Sequence, residues 1–169
     1  DNNTVALYHM DGYNGSRYFP DSSYYGMNAT SNNSAQISSS TYKFGIGSGL
    51  FNGDYLTTGN SQNWNWGTGD FTIDYWLNFT TLPTAGSQCI TGNYASSTPT
   101  WQHLVYESGG SYYMYMSNGT ADVSSSAMSL STGTWYHFAV VRQSGTVYYY
   151  KNGVATGSGS WTVDLNSTD

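Results

Sequence analysis

Between Asn60 and Gly67 the chain reads Asn-Ser-Gln-Asn-Trp-Asn-Trp-Gly, which sets two indoles, Trp64 and Trp66, beside two carboxamides, Asn63 and Asn65. A sugar ring presents a flat C–H face that stacks on an aromatic ring, and hydroxyls that a carboxamide bridges as donor and acceptor together. The spelling is therefore chemistry for a shallow glycan contact. It equally fits a loop whose Trp side chains turn inward to plug a β-sandwich. Tyr24, Tyr25 and the runs Tyr112–Tyr115 and Tyr148–Tyr150 widen the aromatic supply, although alternate members of each run must face the core.

Catalytic chemistry finds less to work with. Cleaving a glycosidic bond takes two carboxyls about 5–5.5 Å apart for retention or about 6.5–9.5 Å for inversion. The only Glu is Glu107, and the closest acidic pair on one plausible strand, Asp70 and Asp74, would stand about 13 Å apart along extended chain. A pair assembled from Glu107, Asp74, Asp54 and Asp122 stays open. His9, His103 and His137 share no strand and show no metal-ligand spacing, so each reads as a structural histidine. No Ser lies in a nucleophile-elbow context, and Gly45-Ile46-Gly47-Ser48-Gly49 lacks the lysine of a phosphate loop.

Composition narrows the field further. The 169 residues carry four cations, Arg17, Lys43, Arg142 and Lys151, against ten acids, for a net charge of -6. Four scattered cations cannot displace the counterions of a nucleic acid or dock on an anionic membrane, so no nucleic-acid partner is expected. Ser, Thr, Asn, Gly and Gln supply about half the residues, yet 17 Tyr and six Trp leave ample material for a core. Solubility through hydroxyls and amides suits a cell surface or a virion. Cys89 is the sole cysteine, which excludes an intrachain disulfide and reads as a small apolar strand residue. No window is apolar enough for membrane insertion. The start at Asp1, without initiator Met or signal peptide, is read as that of a processed product or a piece of something longer.

Short β-forming runs between Gly/Asn/Ser turns position these groups: roughly 4–10, 48–58, 71–79, 87–91, 101–107, 111–117, 134–142, 146–151 and 160–165. No twelve-residue window repeats with helical period. Gly109-Gly110, Gln143-Ser144-Gly145 and Asn152-Gly153 read as tight reversals. Alternation puts Phe71, Ile73, Tyr75 and Leu77 on a core face and Thr72, Asp74, Trp76 and Asn78 on the other. Trp135–Val141 is apolar on both faces, as a central strand is. The fold class that follows is all-β: two antiparallel sheets packed face to face, with almost no helix, in one domain over 1–169.

The order of residues in Trp135-Tyr136-His137-Phe138-Ala139-Val140-Val141-Arg142, then Tyr150-Lys151-Asn152-Gly153-Val154, resembles the signature of laminin-G-like domains in the concanavalin A-like lectin/glucanase superfamily. Thr4–Gly12, Asp21–Thr30, Lys43-Phe44-Gly45, Phe51-Asn52-Gly53 and Phe71–Leu77 resemble that family's earlier blocks in the same order. The resemblance implies a jelly roll and leaves the function open among lectins, glycosidases, adhesion modules and virion parts, because the fold hosts them all. Some relatives hold a structural calcium in blocks where Asp11, Asp21 and Asp54 stand, which makes these three candidate hard-oxygen ligands, with turn formation as the plain alternative. No other cofactor is implied. The family's closing Ile-Asp-Glu-Val strand is absent after Trp161–Leu165: either it has been cut off, or a neighbouring chain supplies it by pairing along Thr4–Met10.

Taken together, these features point to a non-catalytic module outside the cell or on a virion that adheres to surface glycans or to neighbouring subunits, with Asn63, Trp64, Asn65 and Trp66 as the carbohydrate-binding residues. A phage capsid-decoration or tail-fibre part and a bacterial surface adhesion domain both fit. The alternatives are a purely structural assembly protein and a glycoside hydrolase.

Overall fold

Polar turns, more than apolar surface, shape the first half of the chain. The computed structural model describes residues 2–95 and 98–166, in two compact units, Asp1–Trp64 and Asn65–Asp169. In the first, β1 (Tyr18–Phe19), β2 (Ala29–Asn32), β3 (Gln36–Ser38), β4 (Ser48–Leu50) and β5 (Tyr55–Thr57) form a three-stranded sheet in the order β1-β2-β5 and a separate β3-β4 pair. Phe19, Ala29 and Ile37 form its buried apolar cluster, with Tyr8, Met10 and Leu56 packed against them.

Residues 4–10, expected as a strand, join no ladder. The Leu7 amide donates to Asp21 Oδ1 at 2.8 Å and the Leu7 carbonyl accepts from Ser22 N at 2.9 Å, so local turn chemistry takes part of the backbone that strand pairing would need. The expected run 48–58 divides into β4 and β5, and the one helical element among the described residues is a 3-10 turn, Gln62–Trp64.

The second unit contains β6 (Phe71–Asn78), β7 (Gly86–Ala95), β8 (Thr98–Ser108), β9 (Ser111–Ser117), β10 (Asp122–Ser124), β11 (Trp135–Gln143), β12 (Thr146–Lys151) and β13 (Val154–Ser160). They make two four-stranded antiparallel sheets, β10-β9-β8-β7 and β13-β12-β11-β6. The expected jelly-roll sandwich of antiparallel sheets is what these residues build. Trp101, Val105, Met114 and Met116 from one sheet meet Phe138, Val140, Val147 and Tyr149 from the other, each nearly or wholly excluded from solvent. Burying each such side chain is worth roughly 1.5–3 kcal/mol. The alternation of β6 is as expected, with Phe71, Ile73, Tyr75 and Leu77 packed on this core.

Two glycine-containing reversals set the hairpins. At Ser144-Gly145 and Asn152-Gly153 both residues have positive φ, the left-handed pair that matches the twist of flanking strands. Ser144 tolerates φ 49° while its amide donates to Asp70 Oδ1 at 2.8 Å.

Three expectations need correction here. Val154–Ser160, which lies almost wholly outside the expected runs, is the edge strand β13. A Cβ at Gly157 would lie 2.7 Å from Ser126 N, and one at Gly159 would lie 2.4 Å from Val123 Cγ2, so glycine is what lets β13 approach β10 and the residues just after it. Residues 161–165 pair in no ladder. Trp161 and Leu165 are instead buried in the core, with the Leu165 amide on Gly67 O at 2.9 Å. Cys89 is exposed, not buried: β7 is a sheet edge with an irregular register between Cys89 and Thr91, and Ile90 takes the place against the core.

Candidate functional site

The turn between β8 and β9 sets up an aromatic face. Tyr106 pairs with Tyr113, and Tyr115 lies between Leu104 and Ser124, so strand alternation turns Tyr106, Tyr113 and Tyr115 outward while Met114 and Met116 point into the core. With Ser108 and Ser124 these tyrosines line an open groove of about 210 Å³. Enclosed small-molecule pockets run roughly 300–1,000 Å³, so this groove takes part of a ligand and does not engulf one. Tyr106 and Tyr115 brace each other with ring centroids 6.2 Å apart. Burial pushes the Tyr115 phenol up to about 12, helped by its hydrogen bond to Asp122 and by that residue's charge, so it stays a hydroxyl at any ordinary pH. The lining carries flat faces and hydroxyls and no cation.

Below the groove the sandwich is pinned by polar groups. His103, fully buried on β8, shares a proton with the Tyr75 hydroxyl of β6 across 2.7 Å at Nε2, while Nδ1 lies 3.1 Å from Tyr115 O. A carbonyl only accepts, so Nδ1 carries the hydrogen and Nε2 accepts from Tyr75. Burial lowers the His103 pKa to about 4 despite the opposing carbonyl bond, and His103 is thus the neutral structural histidine expected. Tyr149 of β12 makes a second pin, donating to Val123 O at 2.7 Å.

Arg142 closes one end of the same unit. Only 1% exposed, it donates through Nε to Gly69 O at 2.7 Å, Nη1 to Val163 O at 2.8 Å and Nη2 to Gly67 O at 2.7 Å. Its guanidinium lies 4.9 Å from the Phe71 ring centroid and 6.0 Å from that of Trp161. Burial pulls its pKa down, and the charges of Asp70 and Asp164 oppose that. A planar fork of five donors between aromatic faces is what arginine supplies and lysine does not.

The sequence-proposed contact residues divide at the boundary between units. Asn63 and Trp64 lie in the 3-10 turn of the first, and Asn65 and Trp66 begin the second. All four are half-buried, and each has a partner within the protein. Trp66 packs toward the core, 5.1 Å from both Phe71 and Trp101 by ring centroid.

The structure does not bring Asp11, Asp21 and Asp54 together. Asp21 is saturated by amides of Leu7, Ser23 and Met27 and by the Ser23 hydroxyl, all at 2.7–2.8 Å. Burial alone would raise its carboxyl, yet these donors bring the pKa below the ordinary value. Asp11 accepts from Gly12 and Ile46, and Asp54 from Ser34 and Asn52. Each is taken up by backbone amides near and distant in sequence, and among the described residues no three His, Cys, Asp or Glu side chains converge as metal ligands.

Three further acids are likewise spoken for. Glu107 caps the β8–β9 turn by accepting from Gly110 N at 2.7 Å, Asp70 holds Ser144, and Asp164 accepts from Asn166 N at 2.9 Å. Sequence alternation around Gly109-Gly110 could have found the tyrosine groove, since it puts Tyr106, Tyr113 and Tyr115 on one face.

A model of the concanavalin A-like lectin/glucanases superfamily matches residues 50–169. The chain belongs to this superfamily. No curated protein matches it. Among solved structures, the chain is similar to a candidate carbohydrate binding protein from Bacteroides ovatus at 19% identity and TM-score 0.44, over 59% of this chain and 29% of that one. It is also similar to an S-layer domain-containing protein from Clostridium thermocellum at 25% identity and TM-score 0.44, over 94% of this chain and 73% of the other. The superfamily match covers the whole second unit, including the groove, both polar pins and Arg142. Among the described residues no helix is long and apolar enough to cross a membrane.

Proposed function

We propose that this superfamily member is a non-catalytic carbohydrate-binding module of a cell envelope or a virion surface, and that it contacts neutral glycan chains through Tyr106, Tyr113 and Tyr115. The observation that carries the reading is the outward tyrosine groove, whose rings offer stacking area at low entropic cost and whose hydroxyls pair with a sugar's own. The absence of a cation from its lining favours neutral sugars over uronic or sialic acids. The structural duties of Glu107, Asp70 and Asp164 favour binding over hydrolysis.

A glycan array probed with the intact chain and with Tyr106→Ala and Tyr115→Ala tests this. Each substitution is expected to weaken binding about tenfold, the equivalent of about 1.4 kcal/mol, without release of reducing ends. Undiminished binding in both variants, or steady hydrolysis of a bound glycan, rejects it. Including Trp64→Ala in the same array reports whether the Asn63–Trp66 loop adds contacts of its own.

A second reading, assembly through strand addition, draws on β7. This edge strand contains no charged residue over Gly86–Ala95, the kind of edge that natural sheets usually protect. Light scattering across a concentration series decides: a monomer at every concentration removes it.

A further inference from the structure

The opposite sheet of the second unit turns its own aromatic face outward, and the groove does not use it. Register places His137 of β11 beside Trp76 of β6, and Ala139 between Asp74 of β6 and Tyr150 of β12. Ala139 carries only a methyl group, so the row Asp74–Ala139–Tyr150 dips at its centre, with the larger side chains standing at its rim about two strand spacings, roughly 10 Å, apart. Trp76 is 40% exposed, and its ring is set against the His137 imidazole with centroids 5.3 Å apart. Asp74 is the more open of the polar pair, its side chain 63% exposed against 32% for His137.

The spacing of that pair decides what it can take. His137 Nε2 and Asp74 Oδ1 stand 4.0 Å apart, longer than the 2.7–3.2 Å of a direct hydrogen bond. One hydroxyl oxygen fits about 2.8 Å from both, paired with the imidazole nitrogen on one side and donating its own proton to the carboxylate on the other. A hydroxyl bridged in this way, next to an exposed indole face, is how a sugar ring would be held.

We propose that Trp76, His137 and Asp74 form a second saccharide-contact site, on the sheet opposite the tyrosine groove, which makes the module bivalent. Two sites on opposite faces of one rigid sandwich let it bridge two glycan chains and gain avidity without higher affinity at either site.

The test is NMR of the intact chain, titrated with methyl β-glucopyranoside, methyl α-mannopyranoside, methyl β-galactopyranoside and N-acetylglucosamine, with choline chloride as a separate arm. Saturable shifts of the Trp76 indole and His137 ring signals by at least one sugar, persisting in Tyr106→Ala and weakened about tenfold in Asp74→Asn, are expected. Shifts at the tyrosines alone overturn this proposal and leave the groove intact. Shifts at Trp76 and His137 alone support the site itself but count against the groove and overturn the bivalency. A response to choline with none to sugars, or no response at Trp76 and His137 in any arm, overturns it.

Discussion

The two units keep a polar group inside in opposite ways. The first holds a charged carboxylate, Asp21, under a canopy of backbone amides and builds a turn around it, with Phe19, Ala29, Ala35 and Ile37 as its few buried apolar companions. The second holds a neutral imidazole and a guanidinium within a large apolar core, His103 as a pin between sheets and Arg142 as a clamp on three carbonyls. One unit is organised by a charge that recruits donors. The other is organised by apolar burial that forces every polar group to find a fixed partner. The groove belongs to the second kind, which explains how side chains on exposed strands keep a defined shape.

The sharpest way to break this contrast is at Arg142. Arg142→Met leaves Gly67 O, Gly69 O and Val163 O without their donor, and orphaned buried groups cost about 1–3 kcal/mol each. A loss of about 4 kcal/mol in urea unfolding, followed by Trp fluorescence, is expected. Arg142→Lys should recover less than half of it.

Acid separates the two units next. His103 binds a proton at about 4 when folded and near 6.5 when unfolded, so the unfolded chain takes up more protons between those values and stability falls as the pH is lowered. The contribution is complete above about 6.5, declines as pH drops through that window, and levels off below about 4 at a loss of about 3 kcal/mol. A pH series of urea midpoints should show this slope in the wild type and lose it in His103→Phe, whatever that variant's absolute stability.

Asp21 responds lower on the scale. Its folded pKa is depressed, so its stabilisation is present above the ordinary carboxylate range and is lost as pH falls through the folded value. Asp21→Asn should remove about 2 kcal/mol at neutral pH, through weaker acceptors for Leu7, Ser23 and Met27. It should raise hydrogen exchange at those amides while leaving the His103 slope unchanged. The smallest expected effect is Tyr75→Phe, about 1 kcal/mol for one lost hydrogen bond, with the His103 ring signal shifted as its acceptor nitrogen loses the partner.

Much of the second unit was legible because β-structure writes itself in period two. Phe71 through Leu77 showed their faces, and Asn152-Gly153 announced its reversal. Where reading failed, a contact distant in sequence overruled local character. Gly157 and Gly159 look like loop residues until Ser126 and Val123 are seen against them. Cys89 looks like core until β7 proves to be an edge with Ile90 facing inward. The first unit was least legible, since its strands are two to four residues long and its order depends on which amides Asp21 collects, for which no periodicity exists. At the site, Trp composition pointed to the loop at 63–66, whereas side-chain direction pointed to Tyr106, Tyr113 and Tyr115.

A crystal of the chain soaked with the strongest glycan from the array tests the central claim most directly. The account predicts a sugar ring stacked on Tyr106 or Tyr115, its hydroxyls within hydrogen-bond reach of Ser108 or Ser124 and its glycosidic bonds intact. An empty tyrosine groove with the glycan seated in the first unit, or a cleaved sugar between two carboxylates, would contradict it.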